Sequence, residues 1–238
     1  MKKLMMLLVL LGMTTGLTSL TWADQSKVDA VDRLNAAANV LHEIMATPDK
    51  GVPAEVLDGA KCVAVIPHMI KGGLIFGAKH GRGVSTCRLP NGQWSAPAFF
   101  TITGGSWGAQ IGAESVDLVM MIMNENGMKH LLQNKFQIGG EASAAAGPVG
   151  RHASAGIDYK ASTEILTYSR AKGAFAGLDL GGSWITPDKD STVAFYGRDY
   201  PTQALLEGQV PAPPEAKVFL AAVRGSKAEA KEVKPSGM

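Results

Sequence analysis

Cysteine, aromatic side chains and long apolar runs are all scarce in this sequence, and one long stretch of it has no acidic residue. Two cysteines in 238 residues cannot build a tetrahedral zinc site without histidines at suitable spacing, and none of the five histidines offers it. Neither a P-loop pattern nor a Gly-x-Gly-x-x-Gly opening a helix is present, which removes the usual phosphate-cradling loops. Asp117, Glu141, Asp158, Glu164 and Asp179 are scattered without calcium-loop spacing. The longest apolar run, residues 4–11, is short for a bilayer span and gives way to Gly12, Thr14, Thr15 and Gly16. The composition carries no signature of disorder, and the length suits one core with small helical additions.

That run follows Lys2 and Lys3 and precedes the small-x-small tripeptide Thr21-Trp22-Ala23, so residues 1–23 read as a secretory signal, with a retained anchor as the alternative. No cysteine near the cleavage site could carry a lipid. The mature chain is expected to start near Asp24 and to be exported, periplasmic or secreted. Taking Lys2 and Lys3 from the 23 basic residues leaves 21 against 21 acidic ones, so net charge gives no sign of nucleic-acid binding.

The charges are nevertheless segregated. Residues 61–113 contain no Asp or Glu, while Lys61, Lys71, Lys79, Arg82 and Arg88 supply fixed positive charge. Cys62 and Cys87 lie in predicted strands of the same stretch. In an oxidising compartment they either bridge, which stabilises by roughly 3 kcal/mol, or remain two buried thiols in neighbouring strands.

Periodicity predicts a helix over 24–46, with Val31, Leu34, Ala38, Leu41 and Met45 on one face and Asp29, Asp32, Arg33 and Glu43 on the other. A short helix is expected at 54–57. Strands are expected at 62–66, 73–79, 83–89 and 98–103, with His80-Gly81-Arg82 as a hairpin turn. Residues 118–123 read as a buried strand, with a helix as the alternative, and 126–134 as a helix. Further strands follow at 136–146, 155–159, 165–171 and 174–180, then helices at 188–195, 201–206 and 214–223. Twenty of the 28 glycines fall between Gly72 and Gly182, which suits a strongly curved or closed sheet. The expected fold is α+β: a curved antiparallel sheet or barrel packed with an N-terminal helix and C-terminal helices. One domain over 24–225 is followed by a disordered tail at 226–238.

Gly104-Gly105-Ser106-Trp107-Gly108 fits the Gly-x-Ser-x-Gly pattern of hydrolase nucleophiles. That chemistry needs the serine on a strained turn from a parallel strand into a helix, and the surroundings here look antiparallel. A bend in a strand explains the glycines without catalysis. Two more acid-free basic segments, around Arg151 and around Arg170 and Lys172, could join the first. Lys71, Lys79, Arg82, Arg88, Arg151, Arg170 and Lys172 would then form one anion-binding face. Alternatively, each cation is solvated or paired with an acid across the fold.

Lys61-Cys-Val-Ala-Val-Ile-Pro67, Lys71-Gly-Gly-Leu-Ile-Phe-Gly77, Gly81-Arg-Gly-Val84, Gly92-Gln-Trp-Ser-Ala-Pro-Ala98, Gly108-Ala-Gln-Ile-Gly112, Gly147-Pro-Val-Gly-Arg151 and Tyr168-Ser-Arg-Ala-Lys-Gly-Ala-Phe-Ala-Gly177 occur in that order. Together they resemble the SYLF domain family of lipid-binding proteins, over about residues 30–206. The resemblance implies binding of acidic phospholipids and, in some eukaryotic members, of actin filaments. This chain departs from those members. It carries no SH3 module, two cysteines cannot make a FYVE zinc finger, its first helix lacks a basic lipid-inserting face, and its apparent export signal separates it from actin.

The sequence therefore leads to an exported bacterial-type member that binds anionic phospholipid head groups at an envelope membrane through the seven cations. It is expected to be peripherally membrane-associated, with no catalysis, no cofactor and actin an unlikely partner. An envelope assembly protein that binds another protein is the alternative, and a hydrolase using Ser106 is a more distant one.

Overall fold

A computed structural model describes residues 18–46, 51–73, 76–107, 112–133, 135–147, 163–171, 174–175 and 178–232. The first helix, α1 (Thr18–Met45), is longer than expected and passes through residues 23 and 24 without a break. Ala30, Leu34, Ala37, Leu41, Ile44 and Met45 recur every three or four residues and are buried, the stripe that docks a helix on a core. A short helix α2 (Ala54–Gly59) leads into β1 (Cys62–Gly73), β2 (Phe76–Cys87), β3 (Ala98–Trp107) and β4 (Gly112–Ile122). Then follow α3 (Glu125–Leu132), β5 (Phe136–Gln137), β6 (Ala144–Ala146), β7 (Ile165–Ala171), β8 (Ala174–Phe175) and β9 (Trp184–Pro187). The chain continues with α4 (Lys189–Tyr196), α5 (Thr202–Leu206), a 3-10 turn (Pro214–Ala216) and α6 (Lys217–Glu232). Helix α6 thus extends into the stretch read as a tail.

The strands form one curved sheet in the order β5-β9-β3-β2-β1-β4-β7-β6, with β8 also pairing β7. Every pairing is antiparallel except β6 with β7. Successive side chains on a strand point to opposite faces. Val63 and Val65 join a core under α1, α4 and α6, whereas Ala64 and Ile66 join a second core on the other face. Both faces are covered, so Cys62 to Ile66 is apolar at every position instead of alternating. The expected α+β architecture, a curved sheet packed by an N-terminal helix and C-terminal helices, is the one observed.

Several expected boundaries differ, each for a local reason. Residues 80–82 are not a hairpin turn: β2 runs straight through them. Gly81 and Gly83 are required by packing, because a Cβ on Gly81 would lie 2.5 Å from Ile66 and one on Gly83 would lie 2.5 Å from the Phe100 ring. Strand β1 does not end at Pro67. It carries one extra residue there, and His68 adopts a φ of 52° with its N–H donated to Asp117 Oδ1 at 3.0 Å. The side chain of Asp117 thus replaces the ladder bond that a bulge forfeits.

The strand expected over 136–146 is two short strands split by a turn in which Gly139 has a φ of 83°. Of the run expected over 174–180, residues 174–175 form β8, 178–180 are not strand and 176–177 lie outside the described residues; β9 is an additional strand. The strand expected at 155–159 lies outside the described residues.

Candidate functional site

The two faces of the sheet decide where the cations read from the sequence can point. On β2, Gly81 and Gly83 face the Phe100 core and Val84 faces the helices, so Arg82 points to the helix side and Lys79 to the opposite side. Lys71 is the register partner of Lys79 and shares its face. Arg88 and Arg170 fall on the helix side, where they reach α2 and α1. Arg151 and Lys172 lie outside the described residues. The five described cations therefore do not share one face.

Most of them are also occupied. Arg82 meets Arg33 of α1 on a single carboxylate, Asp188. Arg33 Nη1 and Arg82 Nε donate to Asp188 Oδ2 at 3.0 and 3.1 Å, and their Nη2 groups donate to Ser191 Oγ at 3.1 and 2.8 Å. Asp188 also caps α4, its Oδ1 accepting the Ser191 N–H at 3.1 Å. Burial tends to raise the pKa of Asp188, but the Ser191 N–H and hydroxyl and the Arg33 guanidinium outweigh it and hold the carboxyl below its ordinary value. For Arg33, burial and then the Arg82 charge push the pKa down, only partly offset by Asp188.

Arg170 binds Glu43 of α1 and Asp117 of β4, the latter at 3.3 Å. Arg88 donates to the Leu57 and Ala60 carbonyls at the end of α2, and its guanidinium lies 4.5 Å over the Trp94 ring. Lys79 is 3% exposed, and its Nζ donates to the Asp179 carbonyl at 2.7 Å. Burial lowers its pKa. Of the five, Arg82 is exposed, while Lys71 is half-buried like Arg88 and Arg170 and lies opposite Glu114 of β4.

Arg33, Asp188 and Glu43 had no signal as partners in the sequence. Arg33 and Asp188 are 155 positions apart. Arg33, expected on the solvated face of its helix, is instead buried over Phe99. Cys62 and Cys87 are register partners on β1 and β2, joined by a disulfide. Ser106 lies within β3 opposite Gly77, in an antiparallel ladder and not on a strand-to-helix turn. No group of three or more His, Cys, Asp or Glu side chains that could hold a metal occurs among the described residues. No helix among them is long and apolar enough to cross a membrane.

Comparison with known proteins gives this geometry a family. SH3 domain-containing YSC84-like protein 1 of Rattus norvegicus is 35% identical over 171 residues, 71% of this chain and 50% of the relative. The Homo sapiens protein of the same name is 34% identical over the same shares. Protein YSC84 of Saccharomyces cerevisiae is 33% identical over 175 residues, 72% of this chain and 37% of the relative. The chain thus spans half or less of the length of these relatives. The family Ysc84, described as "Las17-binding protein actin regulator", matches residues 103–226.

These findings uphold the SYLF resemblance and the expectation that the protein is not an enzyme. They correct what was built on export. The relatives are eukaryotic and the matching family is described as an actin regulator, so the exported bacterial type, the signal-peptide reading and the periplasmic or secreted location are withdrawn. Anionic phospholipid at a bacterial envelope is withdrawn as the ligand on the same finding, and actin is no longer an unlikely partner. The structure adds a physical reason, since Lys79, Arg88 and Arg170 are committed to partners within the fold. With a match over more than half of its length, the chain belongs to the Ysc84 family of actin regulators.

Proposed function

We propose that this chain is a non-catalytic actin regulator, a single domain over residues 24–225 that attaches to actin filaments by protein–protein contact. The observation that carries this reading is the family match over residues 103–226, which runs from β3 to α6 and so includes strands and helices of both cores. Of the cations singled out in the sequence, the exposed Arg82 and the half-buried Lys71 are the ones offered to a partner, and Arg151 and Lys172 belong to the same proposal. Arg82 is also tied to Asp188, so Lys71 is the cleaner one to test. Contacts made by exposed charge set association rate and salt dependence more than they set affinity.

Co-sedimentation with purified actin filaments is the test. The chain is expected to pellet with filaments and to be released as salt rises, and Lys71→Glu is expected to shift the binding curve to higher filament concentration. A chain that stays in the supernatant at saturating filament sinks the proposal. Binding indifferent to both salt and Lys71→Glu would remove the cations from it.

A further inference from the structure

The sheet curls until its two edges almost meet, and the place where they fail to meet is a cleft. Near Ile138 they are stitched together by Gly139 N–H, which donates to the Ala142 carbonyl at 2.7 Å, while Gly182 N–H, donating to the Ile138 carbonyl at 2.8 Å, extends the β5–β9 pairing on one side. Beyond that stitch, β6 on one side and residues 178–181 on the other enclose a cavity of about 350 Å³ that also touches Thr167. Its volume is in the range of ordinary ligand sites, roughly 300–1,000 Å³.

Among the described residues, the wall made by β6 is an unfinished sheet edge. Ile165 N–H donates to the Ser143 carbonyl and Gly147 N–H to the Thr167 carbonyl, at 3.0 and 2.9 Å. In a parallel ladder the bonded residues alternate, so 143, 145 and 147 face β7 and the N–H and C=O of Ala144 and Ala146 face away from it. Those four groups have no main-chain partner among the described residues. The side chains at 144–146 are methyl groups, half-exposed or exposed, and do not obstruct an approaching backbone. The opposite wall is held in place: Lys79 Nζ anchors the Asp179 carbonyl from behind, and Asp179 Oδ1 accepts the Gly181 N–H at 2.8 Å.

The charge of the cleft selects the occupant. Among the described lining residues Asp179 is the ionisable one, and Glu141 is exposed on the adjoining turn. The Lys79 ammonium lies behind the wall and is not part of the lining, although its charge partly offsets that of Asp179. We propose that the cleft between β6 and residues 178–181 binds a short, extended, basic peptide, which adds as a strand to β6 through Ala144 and Ala146 and meets Asp179 and Glu141 with its cations. Main-chain bonds supply affinity in strand addition and side-chain chemistry supplies selectivity, here for Lys or Arg at alternate positions. The site is independent of the actin reading.

The test uses the full chain and a blocked, fluorescein-labelled peptide of alternating lysine and valine, with a glutamate–valine peptide as its counterpart. Binding is read by anisotropy, and its place by the amide chemical shifts of Ala144 and Ala146. The basic peptide is expected to bind and to move both amides, and the acidic one is expected not to. Ala146→Pro deletes an outward N–H without removing a bond to β7 and should weaken binding by about tenfold at unchanged melting temperature. Asp179→Asn with Glu141→Gln preserves shape and should remove most of the salt dependence. Equal binding of the two peptides, or binding that leaves the Ala144 and Ala146 amides unmoved, overturns the proposal. So does concentration-dependent self-association that moves the same amides without peptide, which would make a second copy the occupant.

Discussion

Asp188→Ala is the most informative single substitution in this fold, because one carboxylate serves two guanidiniums and a helix end. In the native chain Asp188 and Arg33 are each about 7% exposed in their side chains, and the Arg82 side chain is 45% exposed. Removing Asp188 leaves the buried Arg33 guanidinium with Ser191, the face of Phe99 and the more distant charge of Asp29. Breaking a buried pair on one side costs about 3–5 kcal/mol, since the surviving charge stays desolvated. For a chain of this size each kcal/mol moves the melting temperature by about 2–4 °C, so the expected drop is about 6–20 °C by calorimetry. Arg82→Ala removes the solvent-screened partner and should cost no more than about 1 kcal/mol.

Acid titration provides a second reading of the same group. The folded carboxyl of Asp188 is held below its ordinary value, so its contribution is complete above the unfolded value of about 3.9 and is lost as pH falls through the folded one. Asp188→Asn should therefore lower stability at neutral pH and flatten its fall below about pH 4. A melting temperature for Asp188→Ala within about 2 °C of the native protein would refute the reasoning, because the buried guanidinium would then be satisfied without its carboxylate.

Three further outcomes can be measured on the same preparation. Gly83→Ala places a methyl 2.5 Å from the Phe100 ring and 2.8 Å from the Val65 carbonyl and should cost at least about 2 kcal/mol in urea unfolding, whereas Gly105→Ala meets nothing closer than 4.0 Å and should be neutral or gain about 0.5 kcal/mol. Folded Lys79 gives up its proton at lower pH than the unfolded chain does, so the native protein should gain stability relative to Lys79→Met as pH rises toward about 10.4; parallel profiles would show that burial does not act on Lys79. With Cys62 and Cys87 bridged, the unreduced, denatured chain should show no titratable thiol, and reduction should lower stability by roughly 3 kcal/mol for the 25-residue separation.

The sequence by itself determined which segments are helix and strand wherever one physical signal dominates. The buried stripe of α1 is legible because helix docking imposes a spacing of three and four, and β7 matches its expected bounds because a short run with Ile165, Thr167 and Tyr168 reads as a strand. Glycine was the ambiguous signal. At Gly139 and Gly92 it marks a positive φ in a turn, but at Gly81 and Gly83 it marks close packing within a strand, and one letter carries both meanings.

Only the tertiary structure decided what the cations do. Whether a lysine or arginine is free depends on which acid or carbonyl the fold brings to it, and those partners lie far away in sequence: Asp188 for Arg33, Asp179 for Lys79, Asp117 for Arg170. The acid-free stretch at residues 61–113 is basic as sequence, yet as structure its charges split between two faces and are largely answered by acids and carbonyls from outside it. Strand alternation fixes the face each cation points to, and sheet order fixes which partner waits there. Composition along the chain specifies neither of them.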